Sequence, residues 1–164
     1  MTGTLNTASE NRIAVWAITP NGAALAARMA AAFPGAEVLG SDRLERLPGP
    51  ALRFASLGEA VAARFHRYSG HVFIMAAGIV VRVVAPLLTH KTRDPAVVVV
   101  DDRGKFAVSL LSGHIGGANR LAEQVAAAID AQAVVTTATD ANAAAAIDLL
   151  AVEMGLRIEN PQAI

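Results

Sequence analysis

The run AVVVV at 96–100 is apolar at every position. Successive side chains of a strand point to opposite sides, so such a strand leaves neither side for water and needs a covering layer on each. RIAVWAI (12–18) and HVFIM (71–75) have the same character. Between these runs lie stretches with apolar residues at helical spacing, roughly 21–33, 57–68 and 117–129. The last sets Ala118, Leu121, Ala122, Val125 and Ile129 on one stripe. Near-continuous apolar strands alternating with amphipathic helices predict an α/β fold, a mostly parallel sheet with helices on both faces.

The remaining elements follow from punctuation. AEVL (36–39) reads as a short strand. Residues 40–53, rich in Pro, Gly and charge, read as loop, and 78–88 as a helix. A β-hairpin is expected at about 96–110, turning at Asp101-Asp102-Arg103-Gly104. A strand at 131–137, a helix at 143–154 and a short strand at LRIEN complete the expected order. Residues 1–11 are polar and expected to be a flexible segment, with 12–164 a single α/β domain.

Several functional classes are disfavoured. Lys plus Arg and Asp plus Glu both number 14 without a long basic run, which argues against nucleic acid. The apolar stretch 71–90 is interrupted by Gly78, Arg82 and Pro86, so a buried strand and buried helix are expected there, not a membrane span. There is no Cys, which removes disulfides and thiolate chemistry and suits a cytoplasmic protein. His66, His71 and His90 lack the spacing of a metal site and are expected at surfaces or helix ends. No metal site is expected.

The residues that the strands and helices do not require collect in loops. Ser112, Gly113, His114, Gly116, Gly117 and Asn119 stand where a strand meets a helix. Free N–H groups at a helix start favour an anion, but a tight turn needs the same glycines. Ser112 and Asn119 suit either a ligand or a helix cap, and His114 brings an imidazole, a side chain suited to acid–base work, to a turn that does not require one. Arg82 must find an acceptor or water: a ligand carboxylate, or an internal partner such as Asp101 or Asp140. Thr137, Thr139 and Asp140 lie just past a strand, and Lys91 in a charged loop. Gly78, the Ser-Gly-His segment and the Thr-Asp loop are all expected at carboxyl ends of strands, where α/β sheets bind ligands. Arg82, His114 and Asp140 are accordingly expected to share one concave receptor.

GIVVRVVAPLL, DPAVVVVDDRG, SLLSGHIGGANRLA and VVTTATD, in this order and spacing, resemble the amino-terminal domain of the cobalt-precorrin-5A hydrolase (CbiG) family. The likeness runs more loosely from Arg12 to Pro161. It implies anaerobic cobalamin biosynthesis: opening of the ring-A δ-lactone of a cobalt-bearing tetrapyrrole, with release of acetaldehyde. It also implies a separate carboxy-terminal domain, outside these 164 residues, as a possible partner. The cobalt would arrive inside the substrate, so no cofactor is expected. On this resemblance His114 is the acid–base candidate and Asp140 its orienting group. Gly78, Arg82, Lys91, Ser112, Gly113, Gly116, Gly117, Asn119, Thr137 and Thr139 would contact the carboxylate-rimmed substrate. The alternative is a non-catalytic corrinoid-binding module that needs a separate carboxy-terminal partner for activity.

Overall fold

The computed structural model describes residues 12–90 and 92–137. The elements are β1 (Ile13–Ala17), α1 (Pro20–Ala32), β2 (Glu37–Ser41), β3 (Leu52–Phe54), α2 (Leu57–Ala62), β4 (Gly70–Ile74), α3 (Ala77–Val84), β5 (Ala96–Val100), β6 (Phe106–Leu111), α4 (Ala118–Ile129) and β7 (Gln132–Val134). Single 3₁₀ turns at Phe65–Arg67 and Ala85–Leu87 follow α2 and α3. Seven strands form one sheet in the order β3-β2-β1-β4-β5-β6-β7. Neighbours from β3 to β5 are parallel, β5 and β6 are antiparallel, and β7 runs parallel to β6. The expected α/β architecture and hairpin are present.

The alternation within AVVVV sorts its side chains between two layers. Val98 and Val100 pack with Val15, Val72 and the inner stripes of α1 and α4: Leu25, Ala26 and Met29, then Leu121, Ala122 and Val125. Val97 and Val99 point the other way, into Trp16, Phe65, Phe73 and residues of α2 and α3. Burying one such valine side chain contributes roughly 1.5–3 kcal/mol. A one-residue slip of β5 would therefore exchange partners in both layers at once.

The hairpin tip is fixed by Asp101, whose carboxylate accepts the N–H groups of Arg103, Lys105 and Phe106 at 3.0, 2.7 and 2.7 Å. Gly104 has φ +66°, and a Cβ there would stand 2.9 Å from Leu25 Cδ2. Its left-handed backbone conformation favours glycine, and a side chain there would also have to displace the tip of Leu25.

Four expectations change. The 40–53 segment is not all loop, because Leu52–Phe54 pairs with β2 as an edge strand. The helix expected over 57–68 ends at Ala62 and gives way to the 3₁₀ turn. The helix after β4 is not buried all round: only Val80 and Val84, one turn apart, are fully covered, Val83 is partly so, and Ile79 and Val81 are 40% and 48% exposed. His71 is no surface group but fully buried on β4. Residues 1–11, Lys91 and the elements expected after 137 lie outside the described residues.

His71 is held from both sides. Trp16 Nε1–H donates to its Nδ1 at 3.0 Å, and its Nε2 faces the Phe65 carbonyl oxygen at 2.9 Å. An indole N–H can only donate, so Nδ1 is the acceptor and Nε2 carries the proton. The ring stacks between Phe65 and Phe73. Burial in this aromatic layer pushes its pKa down to about 4, against the opposing pull of the Phe65 carbonyl.

Candidate functional site: two edges of one sheet

The polarity of the strands decides which loops share a surface. β1 to β5 run one way, so the loops after β1, β2 and β4 lie together at their carboxyl-end edge. β6 runs against them, and its last residue, Leu111, pairs with Val97 near the start of β5. The Ser112–Gly117 turn therefore emerges at the opposite, amino-end edge. There Gly116 and Gly117 line a small cleft with Ile13, Gly70 and Ala96, residues at the starts of β1, β4 and β5. A rise of about 3.3 Å per residue puts the two edges of a five-residue strand about 13 Å apart. His114 and Gly78 are thus on opposite edges, and the single receptor expected to join Arg82 with His114 is not formed. The hairpin that the sequence predicts is itself the cause.

At the amino-end edge the structure does bring several expected residues together. Asn119 accepts a hydrogen bond from Ser109 Oγ at 2.7 Å and donates from Nδ2 to Thr137 Oγ1 at 2.9 Å. It links β6, α4 and the segment after β7. A Cβ on Gly113 would lie 2.8 Å from Asn119 Oδ1 and 3.0 Å from Thr137 Cγ2. One on Gly116 would lie 2.3 Å from Ser112 Cβ. Ser112 itself holds φ +60°, an uncommon value for a residue with a side chain.

The start of α4 differs from the expected anion receptor. The N–H groups of Gly117, Ala118 and Asn119 bond the loop's own carbonyls of His114, Ser112 and Gly113 at 2.9, 3.0 and 3.1 Å. Ser112 therefore contributes a backbone carbonyl, not its hydroxyl, and the N-cap position belongs to Gly117 with φ +80°. His114 is half-buried in this turn, and the next residue, Ile115, is 46% exposed. Asp94 and Pro95 lead into β5 at the same edge, and Asp94 ties this entry to Thr89. Its carboxylate takes the Thr89 N–H at 3.0 and 3.1 Å and the Thr89 hydroxyl at 2.8 Å. Burial would raise that carboxyl's pKa, but these Thr89 bonds outweigh burial and hold it below the usual range.

The carboxyl-end edge is built differently. β1 leads into α1 on one face and β4 into α3 on the other, so the chain diverges between these neighbouring strands. This is the place where doubly wound sheets accept ligands. Gly78 opens α3 here. Arg82, exposed on that helix, folds its Nη1 onto the Gly78 carbonyl at 2.9 Å. The internal partner considered for it, Asp101, is engaged by the hairpin turn instead. On the same edge Thr19 caps α1 by accepting the Gly22 N–H at 3.0 Å, and its hydroxyl donates to Asp102. Asn21 Nδ2 reaches the other oxygen of Asp102 at 3.0 Å.

A cleft of about 720 Å³ opens on this edge between α1 and the segment after β2. Ala23, Ala24 and Ala27 form one wall with Pro20, and Arg43 to Pro48 form the other. Arg53 on β3 holds that second wall, donating to the carbonyls of Asp42, Leu44 and Glu45 at 3.3, 2.7 and 3.5 Å. Leu47 packs so closely on Gly40 that a Cβ there would meet its Cδ2 at 2.2 Å. The sequence reading passed over this cleft. Its one available signal was SDRLERLPGP, two arginines placed directly after a strand end. Lys91, Thr139 and Asp140 lie outside the described residues. Among the described residues no cluster of His, Asp or Glu could hold a metal ion, and no helix is long and apolar enough to cross a membrane.

The sequence model described as cobalamin synthesis G N-terminal matches residues 59–140, half of the chain. The chain belongs to that family. It is 44% identical over 158 residues to the cobalt-precorrin-5A hydrolase of Salmonella typhimurium, covering 95% of this chain and 44% of that protein. It is 38% identical over 146 residues to the cobalt-precorrin-5A hydrolase of Priestia megaterium, covering 87% and 39%. The chain thus spans less than half the length of these relatives. A solved structure of a cobalamin biosynthesis protein G homolog from Sulfolobus solfataricus superposes with a TM-score of 0.57 at 23% identity, over 93% of this chain and 43% of that one. This likeness to the cobalamin synthesis G homolog establishes a shared fold.

Proposed function

We propose that the chain forms the amino-terminal part of a cobalt-precorrin-5A hydrolase, with its carboxyl-end edge holding the cobalt-corrinoid substrate. The observation that carries this reading is the likeness, along nearly the whole chain, to proteins of that name. The chemistry is the addition of water to a ring-A lactone and the departure of a two-carbon unit as acetaldehyde, with cobalt entering as part of the substrate. Support for the carboxyl-end edge comes from its divergent strands, its large cleft and arginines that are free to turn toward a ligand. A guanidinium grips a carboxylate with two parallel bonds, which suits the acetate and propionate rim of such a macrocycle.

A second reading places the chemistry at the amino-end edge, with His114 as acid–base group and Asp140 orienting it. The turn that presents His114 favours it: Ser112 is held at positive φ and Gly116 is packed hard against it, and such strain collects at functional sites. One experiment separates the two. Cobalt-precorrin-5A is supplied to the chain, alone and together with the remaining portion of a full-length relative, and acetaldehyde is measured. The favoured reading expects Arg82→Ala to slow release about tenfold, matching the loss of one charge-assisted contact. It also expects His114→Gln to stay within about threefold of the parent. A loss of about a hundredfold or more in His114→Gln, the scale of a missing acid–base group, would move the site to the amino-end edge. No acetaldehyde under any condition rejects the hydrolase reading.

A further inference from the structure

We infer that the cleft between α1 and the 43–48 segment is a binding site for the edge of a flat, carboxylate-fringed tetrapyrrole, with Arg43 and Arg46 as its anion-gripping pair. The inference rests on the hydrolase reading for the ligand class and goes beyond it in naming the site. Three features of the cleft converge.

The first is shape. The α1 wall is made of alanines one turn apart, Ala23 and Ala27 with Ala24 beside them. Side chains this short leave a shallow, even apolar surface on which a planar ring system can lie. About 720 Å³ falls within the range of small-molecule sites, roughly 300–1,000 Å³.

Charge is the second. Arg43 and Arg46 line the opposite wall, and among the described residues neither side chain has an ion-pair or hydrogen-bond partner. Glu45 is the single acidic residue on the lining, so the cleft carries a net positive charge. An apolar wall facing two uncommitted guanidinium groups complements a molecule that is flat and apolar in the middle and anionic at the rim. A neutral metabolite would leave both arginines unused.

The third is rigidity. The segment bearing the arginines is anchored through its own carbonyls by Arg53 and by Leu47 seated on Gly40. A wall preformed in this way loses little freedom when a ligand arrives. The anchors leave Arg43 and Arg46 exposed.

The test titrates the chain with uroporphyrin III, an octacarboxylate tetrapyrrole, and follows its visible absorption. The chain is expected to bind the free acid and not the octamethyl ester. The double variant Arg43→Ala/Arg46→Ala is expected to weaken binding at least tenfold, and Ala24→Trp, which fills the cleft from the helix side, to weaken it comparably. Lys105→Ala removes a charge at the hairpin tip and is expected to change binding less than twofold. Thermal unfolding of each variant verifies that the fold persists, and the arginine pair, exposed and anchored elsewhere, keeps the test decisive if Ala24→Trp perturbs α1. Absence of binding to the parent chain, or equal binding by the arginine double variant, overturns the site. Acetaldehyde release is scored separately: uroporphyrin binding that depends on Arg43 and Arg46 sustains the cleft even in a preparation that hydrolyses nothing, and that silence counts against the hydrolase reading alone.

Discussion

The two edges of this sheet use similar materials to opposite ends. At the amino-end edge glycines, hydroxyls and an amide turn inward. The N–H groups of Gly117, Ala118 and Asn119 meet carbonyls of their own loop, and Asn119 bridges Ser109 to Thr137. At the carboxyl-end edge the cleft's charged groups point outward, and Arg43 and Arg46 carry no internal obligation. A glycine-rich turn at a helix start keeps fewer N–H groups for a ligand when the loop satisfies its own helix. A charged loop keeps its side chains available when its backbone is held and they are not. With the cleft as the proposed binding site, the contrast divides stability from binding between the two edges, and that division can be attacked directly.

The largest expected effect lies beneath the amino-end half, at His71. In the folded chain its pKa is about 4, against about 6.5 for an unperturbed imidazole, so the unfolded chain takes up the proton first. Stability conferred by the neutral ring is intact above pH 6.5 or so and drains away as pH falls toward 4, by about 3 kcal/mol. Urea unfolding across this interval measures it. His71→Phe should flatten the slope, whereas an unchanged slope would show that another group governs acid sensitivity.

Next is Gly116→Ala. The new methyl would stand 2.3 Å from Ser112 Cβ and 2.8 Å from the Ser112 backbone oxygen, and backbone cannot swing aside as a side-chain tip does. A cost of about 2 kcal/mol is expected, read as a lower urea midpoint. Asn119→Ala follows at about 1 kcal/mol, since its hydrogen bonds with Ser109 and Thr137 are lost while those partners stay within reach of water. The smallest effect carries as much weight. Arg43→Ala, Arg46→Ala and Arg82→Ala should each leave stability within about 0.5 kcal/mol of the parent. If these arginines prove as costly to remove as Asn119, the two edges are not divided in this way.

Much of the fold is legible in the sequence because burial on both faces writes itself plainly. IAVWA, HVFIM and AVVVV admit few alternatives to inner strands, and Ala118 to Ile129 show their stripe directly. β3 is not legible, for LRF is three residues long, contains an arginine, and gains strand geometry only by pairing with β2. His71 looks like a strand's first residue, and nothing local reveals that Trp16, 55 positions earlier, will donate to it. The expected grouping of His114 with Gly78 and Arg82 is absent for a simpler reason. The hairpin is legible in the sequence, but its reversal of direction sends the loop after β6 to the edge opposite the carboxyl ends of the parallel strands. The cleft escaped because short side chains on α1 create it, and empty space leaves no mark in a sequence.

Asp102 joins the hairpin tip to both Thr19 and Asn21 at the start of α1, and α1 is also the alanine wall of the cleft. Anything that settles against this helix should therefore be felt at a turn it never touches. Slower amide exchange at Arg103 to Phe106 would announce an occupant, giving the molecule a remote gauge of whether its cleft is full.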